Sequence, residues 1–315
     1  MNIYKKLGGY EMEAVLIRSF TFIFIIALGN ILKQKGFFQK EDSRFLSKII
    51  MNITLPSLLL SSSLTFLFNS TTIVLVVIGF LTNVTFALVS RLLFLKNSKV
   101  EQGSSMISCS GFNIGNVTIP FALSFFSGTA LSYVMMFEIG NVLGWMGGAY
   151  SVAKNVAKDD GSKFSIKALA ATLSKSLPFL TYLFIITLAL LKVSLPTQLI
   201  TVIGTIGSAN TFLVFLMIGI MLEIKFDKLQ MERVWKILGF RLTGFIVLSL
   251  AVYFLLPIPM LAKSIVILCL ASPIPSVATV FAKEFGDDSS VPALVNSIAI
   301  VVGILLSSLV LLLFV

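Results

Sequence analysis

Amide, hydroxyl and proline residues interrupt two apolar runs of this chain, and their types point to the binding of a small anion. Proline removes a backbone donor and clashes with the preceding helical turn, so we expect a helix to be interrupted in each run. Short polar side chains beside the prolines can pair with the freed backbone groups. The predicted binding residues are Asn113, Gly115, Asn116 and Pro120 in the first run and Pro273, Pro275, Ser276 and Thr279 in the second.

Each interruption would expose the N-terminus of a second half-helix. Such an end carries a charge of about +0.5 and free N–H groups, which together bind anions. Two converging ends therefore predict an anion site. Unwound backbone at membrane depth is tolerated only where it is buried in protein or lines a wet cavity. Two ordinary proline kinks are the alternative interpretation, and the matching positions of the two runs favour a site.

Glu138 is a carboxylate well inside an apolar run, and Asn141 follows on the same helical face. Ionisable residues at membrane depth are costly and mark functional positions. Glu138 is therefore either a site for a coupling proton or, with Asn141, a polar wall of the binding cavity. A buried ion pair with Arg241 is the structural alternative. Because no Lys or Arg is evident at the interruptions, a monocarboxylate, or a dicarboxylate bound with a proton, is favoured.

The two runs occupy equivalent places in an internal repeat. A shift of 160 residues without gaps places Cys109 on Cys269. The same shift aligns six further positions around the interruptions, which are Ile107, Ile114, Val117, Phe121, Ala122 and Phe125 with Ile267, Ile274, Val277, Phe281, Ala282 and Phe285. Paired interrupted helices in two repeats indicate the binding site of a transporter.

The composition predicts an all-α polytopic membrane protein. The 315 residues are 57% apolar and 12% charged, whereas soluble proteins carry about 25% charge. Each span needs about 20 apolar residues. The ten predicted spans are 14–32, 45–64, 71–94, 103–126, 129–153, 173–192, 198–222, 234–256, 261–283 and 290–314.

Basic residues follow the odd-numbered spans, whereas the alternate loops are nearly bare of them. By the positive-inside rule the basic loops are cytoplasmic, which places both termini outside the cell membrane. Lys5 and Lys6 contradict this topology, and a start at Met12 instead of Met1 would remove them. The net charge of +10 is spread through short loops, so nucleic acid is not an expected partner.

Five spans in each half require the second half to insert upside down. The predicted organisation is an inverted repeat at 1–154 and 173–315, joined by a cytoplasmic linker at 155–172. Asp159, Asp160, Asp287 and Asp288 are interpreted as solvated loop charges. The chain has no His and its two Cys lie inside spans, so no metal site, cofactor or enzymatic activity is expected.

The spacing in Asn113-Ile-Gly115-Asn116-Val-Thr118-Ile-Pro120 resembles span 4 of the auxin efflux carrier family. This family includes plant PIN-type carriers and bacterial malate and malonate permeases. The second run, from Pro273 through VFAKEF, is similar to the family's span 9. Thr118 departs from the Gly that bacterial members often have, and no Pro lies near Asn210. These departures bear on the substrate rather than on the fold.

The resemblance implies a fold shared with bile-acid transporters, in which broken spans 4 and 9 cross at mid-membrane. A transport core of spans 3–5 and 8–10 would move like an elevator against a scaffold of spans 1, 2, 6 and 7. The family is often dimeric, so a homodimer through the scaffold is expected. Site residues carry over to Asn113, Pro120 and Pro273.

The predicted function is secondary transport of a small organic anion, such as malate, with H⁺ as the candidate coupling ion. A sodium-coupled carrier on the same fold is the alternative, and replacing sodium by potassium in a transport assay separates the two. A non-transporting receptor or regulator is a further alternative. An intramembrane enzyme such as a prenyltransferase would need Asp-rich motifs, and none is found.

Overall fold

The computed structural model describes residues 3–63, 66–126, 129–158, 165–222 and 230–314, without the side chains of residues 3–12, 14, 15, 124 and 168. In chain order the helices are α1 (Ile3–Gln34), α2 (Asp42–Ile49), α3 (Leu55–Ser61), α4 (Ser70–Arg91), α5 (Lys99–Cys109), α6 (Ile119–Phe125), α7 (Ala130–Val142), α8 (Tyr150–Lys158), α9 (Ile166–Leu173), α10 (Leu177–Leu190), α11 (Thr197–Ser208), α12 (Asn210–Met221), α13 (Met231–Leu255), α14 (Met260–Leu270), α15 (Ala278–Phe285) and α16 (Val291–Phe314). Met1, Asp159 and Asp160 lie outside the described residues, and nothing is described of the side chains of Lys5, Lys6 and Met12.

Six helical segments are long and apolar enough to cross a membrane. They are Leu16–Gln34, Ser70–Phe94, Lys99–Leu123, Thr197–Met221, Met231–Leu255 and Val291–Phe314. The prediction of an all-helical membrane protein is thereby confirmed for the described residues, while the number of ten spans stays a prediction. Leu177–Leu190 and Met260–Leu270 are apolar as well but are shorter.

Burial separates a central segment from a peripheral one. In its most apolar window, Lys99–Leu123 is 83% buried and Met231–Leu255 is 17% buried. The interrupted segment that contains Asn113 therefore runs through the middle of the protein, and α13 lies at its edge. Trp235 and Phe254 of α13 are exposed, which suits contact with lipid chains.

The first predicted interruption is present between α5 and the next helical residue, Ile114. We call residues 110–113 the first break. Ser110 is extended, and Gly111 has φ of 82°, a conformation that glycine adopts without a steric penalty. The indole of Trp145 packs where a Cβ of Gly111 would lie. A larger residue would therefore be excluded both by the backbone conformation and by this contact.

Pro120 does not cause the first break, contrary to the expectation from sequence. It lies in the first turn of α6, directly after a wide π-helical turn at Ile114–Thr118. Pro56 lies in the same place in α3, after the π-helical turn Ile50–Thr54. Because proline cannot donate to the preceding turn, the wider turn accommodates it and the helix continues.

The second predicted interruption separates α14 from α15. We call residues 271–277 the second break, and both Pro273 and Pro275 lie inside it. Here the prolines do coincide with unwound backbone, as the sequence predicted. Helix α15 then begins at Ala278, where the Ala278 N–H donates to the carbonyl of Pro275 at 2.9 Å.

The helices pack in two groups. Helices α1–α3 and α10–α12 contact one another, and α4–α8 with α13–α16 form the second group. Close contacts within each group use glycine: a Cβ at Gly219 would collide with the carbonyl of Ile26, and one at Gly140 with that of Val76. A larger residue at Gly219 or Gly140 would force the helices apart.

The region predicted as a loop-like linker at 155–172 is partly helical. Helix α8 extends to Lys158, and α9 begins at Ile166. Helix α9 contacts the π-helical turn Leu143–Ala149. The linker therefore contributes ordered helix to the second group of helices rather than only connecting the two halves.

Asp287 is buried, so its interpretation as a solvated loop charge is wrong. It accepts a hydrogen bond from Arg233, whose Nε and Nη2 also donate to Ser105 and Ser104 at 2.9 Å each. Burial alone would raise the pKa of Asp287. The hydrogen bonds and the positive charge of Arg233 lower it by a larger amount, so the pKa lies below its ordinary value. Asp288, next in the chain, is exposed.

Candidate functional site

The two breaks contact each other directly. The backbone N–H of Asn113, in the first break, donates to the carbonyl oxygen of Pro273, in the second, at 2.8 Å. Segments far apart in sequence are thus joined where both have left helical conformation. This contact brings together the two polar runs that the sequence singled out.

The other N–H groups of the first break are paired within the second group of helices. Gly111 donates to Oδ1 of Asn83 at 2.7 Å, and Phe112 donates to Oδ1 of Asn141 at 3.2 Å. Ser110 donates back to the carbonyl of Met106 at 3.2 Å. Because buried backbone donors without a partner are costly, Asn83 and Asn141 are what allow the chain to unwind here.

Arg241 satisfies the carbonyl groups at the same place. Its Nη1 donates to the carbonyls of Cys109 at 3.0 Å and Gly111 at 2.9 Å, with a longer contact of 3.4 Å to Ser110. Its Nη2 donates to the carbonyl of Ser272, in the second break, at 3.0 Å. One guanidinium therefore joins the carbonyl ends of α5 and α14.

For Arg241, one alternative interpretation and one expectation from the sequence are wrong. It does not pair with Glu138, because its hydrogen bonds go to backbone carbonyls. A cation also does lie at the interruptions, where the sequence showed none. The carbonyl end of a helix carries partial negative charge, so a buried guanidinium is stabilised there without a carboxylate partner.

Glu138 and Asn141 form the predicted pair on one helical face. Nδ2 of Asn141 donates to Oε2 of Glu138 at 2.7 Å and to the carbonyl of Phe112 at 2.9 Å. Nδ2 of Asn83 donates to Oδ1 of Asn141 at 3.0 Å. Within the described part of the chain, no cationic side chain lies within 4.0 Å of Glu138. The carboxyl group is thus linked to the first break through Asn141.

A cavity of about 180 Å³ lies against the first break, between the two groups of helices. Its walls include six of the predicted site residues, which are Asn113, Gly115, Asn116, Glu138, Asn141 and Pro275. The opposite wall comes from the other group of helices and includes Met51, Leu55 and Tyr182. Four predicted residues, Pro120, Pro273, Ser276 and Thr279, do not line this cavity.

The polar groups of the cavity include both donors and acceptors. Ile114, Gly115 and Asn116 begin a helical segment, and the first N–H groups of a helix have no partner inside it. Oδ1 of Asn116 is buried and has no hydrogen-bond partner among the described residues. The cavity can therefore accept an anionic oxygen on one side and a hydrogen-bond donor of the ligand on another.

Pro273 faces a second cavity, of about 230 Å³, between α13 and α16. Arg241, Ser272 and Phe112 also line it, and most of its other walls are apolar. Thr279 donates to the carbonyl of Ser276 at 2.8 Å and so closes the first turn of α15. It stays a prediction that four residues take part in binding, which are Pro120, Pro273, Ser276 and Thr279.

The sequence did not indicate that Arg241 binds the carbonyls of the two breaks or that Tyr182 lines the cavity. Asn83 was a weaker candidate for the cavity, and it binds the backbone of the first break instead. An arginine inside a long apolar helix is a signal in itself, because it needs several acceptors at membrane depth. The unwound carbonyls of the two breaks are such acceptors. Tyr182 has no comparable signal, since an aromatic residue in an apolar helix is ordinary.

Comparison of the chain with protein-family models finds no matching family, and no curated protein matches it. The fold and the site define the protein as a helical membrane protein in which two interrupted helices meet beside a cavity that is lined partly by polar side chains.

Proposed function

We propose that this protein is a secondary carrier of small organic anions in the cell membrane. The proposal includes the ten spans in two inverted repeats, the outward termini and the membership of the auxin efflux carrier family expected from the Asn113 to Pro120 run. The observation that carries it is the hydrogen bond between Asn113 and Pro273 beside a cavity that is lined partly by polar side chains. Interrupted helices that meet in this way are the usual binding sites of secondary transporters.

The size of the cavity and the polar groups in its wall support a small carboxylate as the ligand. Its volume of about 180 Å³ is below the range of roughly 300–1,000 Å³ found for pockets that hold drug-sized ligands. The N-terminal turn at Ile114–Thr118 suits a carboxylate. The unpaired Oδ1 of Asn116 suits a hydroxyl or a protonated carboxyl. A hydroxy acid such as malate, or a monoprotonated dicarboxylate, meets both requirements.

The position of the cavity supports alternating access. One wall belongs to α4–α8 with α13–α16, and the other to α1–α3 with α10–α12. A displacement of one group along the other would carry Asn113 and its ligand across the membrane, while Met51 and Tyr182 stayed in place. The two groups correspond to the transport core and the scaffold of the proposed elevator.

Uptake of radiolabelled carboxylates into proteoliposomes tests the proposal. The panel should include malate, malonate, succinate, lactate and acetate, each with and without a pH gradient. We expect uptake of at least one acid to exceed that of empty liposomes. In Asn113→Ala this uptake should fall at least about tenfold, which corresponds to the loss of about 1.4 kcal/mol of binding free energy. Asn52→Ala is the matched control, because Asn52 is exposed and, among the described residues, its side chain donates to the carbonyl of Lys48 alone. If no carboxylate in the panel is taken up, the proposal is wrong.

A further inference from the structure

We propose that the guanidinium of Arg241 acts as a built-in cation at the two breaks. It occupies a cluster of backbone carbonyls at which a coupling Na⁺ would otherwise bind. The inference deepens the proposed function, because it decides between a sodium-coupled and a sodium-independent carrier. Its transport test rests on that proposed function. Arg241 is a positioning residue in this scheme, since the ligand cavity and Arg241 lie on different sides of the first break.

The carbonyl cluster has the composition of a cation site. Unwound carbonyls and the C-terminal ends of half-helices are the groups that coordinate Na⁺ in transporters with interrupted helices. Here the carbonyls of Cys109, Ser110, Gly111 and Ser272 converge from both breaks. Each lies at or just beyond the end of α5 or α14, where the helix dipole is negative.

The guanidinium already satisfies this cluster. Three of the four distances from Arg241 nitrogens to carbonyl oxygens are 2.9–3.0 Å, which are ordinary hydrogen-bond lengths. The ring of Phe112 covers the guanidinium at 5.2 Å, a cation–π contact. A second cation among the same carbonyls would lie next to a fixed positive charge and would be repelled.

The two cavities show why Arg241 acts on the site without touching the ligand. Arg241 lines the cavity between α13 and α16, and the ligand cavity lies between the two groups of helices. Phe112 lines both cavities. The cation therefore fixes the carbonyl side of the first break, and the ligand cavity lies beside the helical turn Ile114–Thr118 that follows the break.

The first test measures thermal stability of the purified protein in detergent without any carboxylate. The chloride salts of Na⁺, K⁺ and choline are compared at equal ionic strength. We expect the wild type to have the same Tm in all three. A saturable rise in Tm that is specific to Na⁺ would overturn the inference.

The second test removes the built-in cation. Arg241→Ala should lower Tm by about 5 °C or more, and NaCl or millimolar methylguanidinium should then raise it relative to choline chloride. Lys236→Ala, on the same helix, is the control, because Lys236 is partly exposed and bonds only Glu232; it should show neither effect. If Arg241→Ala folds and neither cation stabilises it, the inference is wrong. If Arg241→Ala does not fold, Arg241→Gln, which removes the charge and keeps a hydrogen-bond donor, takes its place with the same expected outcomes.

Transport gives an independent readout. Once a transported acid is known, its uptake by the wild type should change less than about twofold when external Na⁺ is replaced by choline, a difference below about 0.4 kcal/mol. A strict requirement for Na⁺ would overturn the inference and leave the carrier function standing. A complete absence of transport would instead overturn the carrier function, and the two stability tests would still decide the role of Arg241.

Discussion

Asn83 and Asn141 lie on α4 and α7 and share a 3.0 Å hydrogen bond, and each also accepts a backbone N–H of the first break. The pair therefore replaces the helical hydrogen bonds that Gly111 and Phe112 have given up. Since α4 and α7 pack closely through Gly140, the positions of the two amides are fixed before any ligand enters. The first break is in this sense preorganised.

Asn83→Ala should destabilise the protein by roughly 1–3 kcal/mol, because it leaves the buried N–H of Gly111 without an acceptor. The measurement is the Tm of the purified protein, compared with that of Asn52→Ala. A variant as stable as the wild type would show that the break does not depend on Asn83.

Glu138→Gln should abolish the response of uptake to a pH gradient and leave Tm nearly unchanged. Glutamine has the same shape and still offers an oxygen to Nδ2 of Asn141, but it cannot exchange a proton. The measurement is uptake of the transported acid at several inside-to-outside pH differences. If the variant responds to the gradient as the wild type does, Glu138 is not the coupling site and serves as a wall of the cavity.

Gly115→Ala should reduce uptake without loss of stability. A Cβ at Gly115 would lie 3.7 Å from Cδ2 of Leu55 and 3.9 Å from Oε1 of Glu138, which is ordinary contact, so the methyl group fits but takes space from the cavity. Larger acids of the panel should be affected most. Gly239→Ala is the control, because nothing lies within 4 Å of the added carbon. Unchanged uptake of every acid would place the ligand elsewhere.

Asp287→Asn should destabilise the protein at neutral pH by about 3 kcal/mol, since it removes one partner of a buried ion pair. The pKa of Asp287 is lowered in the folded protein, so its contribution is complete above the ordinary pKa of about 4. It is then lost as pH falls through the lower, folded pKa. The Tm difference between wild type and variant should therefore shrink below about pH 4. The exposed Asp288→Asn is the control, and a difference that does not depend on pH would contradict the assignment.

The sequence predicted the apolar helices, the two interruptions and six of the residues around the ligand cavity. These features are local, because hydrophobic length, proline and glycine act on their own segment of the chain. Asn113, Asn116 and Glu138 could be found for the same reason. The expectation that Pro120 interrupts the helix was wrong, because a π-helical turn can accommodate a proline that would break a regular helix.

The partners of the polar groups could not be predicted, because they depend on which helices become neighbours. A pair of Glu138 with Arg241 was the structural alternative, because Arg241 lies inside span 8 of the same predicted core, and Asp287 was expected in solvent. In the structure the guanidinium finds backbone carbonyls, and Asp287 finds Arg233. Opposite charges in a sequence therefore do not predict ion pairs where unwound backbone competes for the same cation.

The peripheral position of α13 makes the two breaks sensitive to the thickness of the lipid bilayer. Beyond its charged first turns, residues 237–255 of α13 are about 28 Å long, close to the thickness of a hydrocarbon layer of about 30 Å, so a thinner layer would tilt the helix. Arg241 links this helix to both breaks, so a change of tilt moves the carbonyl cluster. Uptake should accordingly vary when the acyl chains of the liposomes are lengthened, and Arg241→Lys should weaken that dependence. Equal uptake in thin and thick bilayers would show that α13 tilts without moving the site.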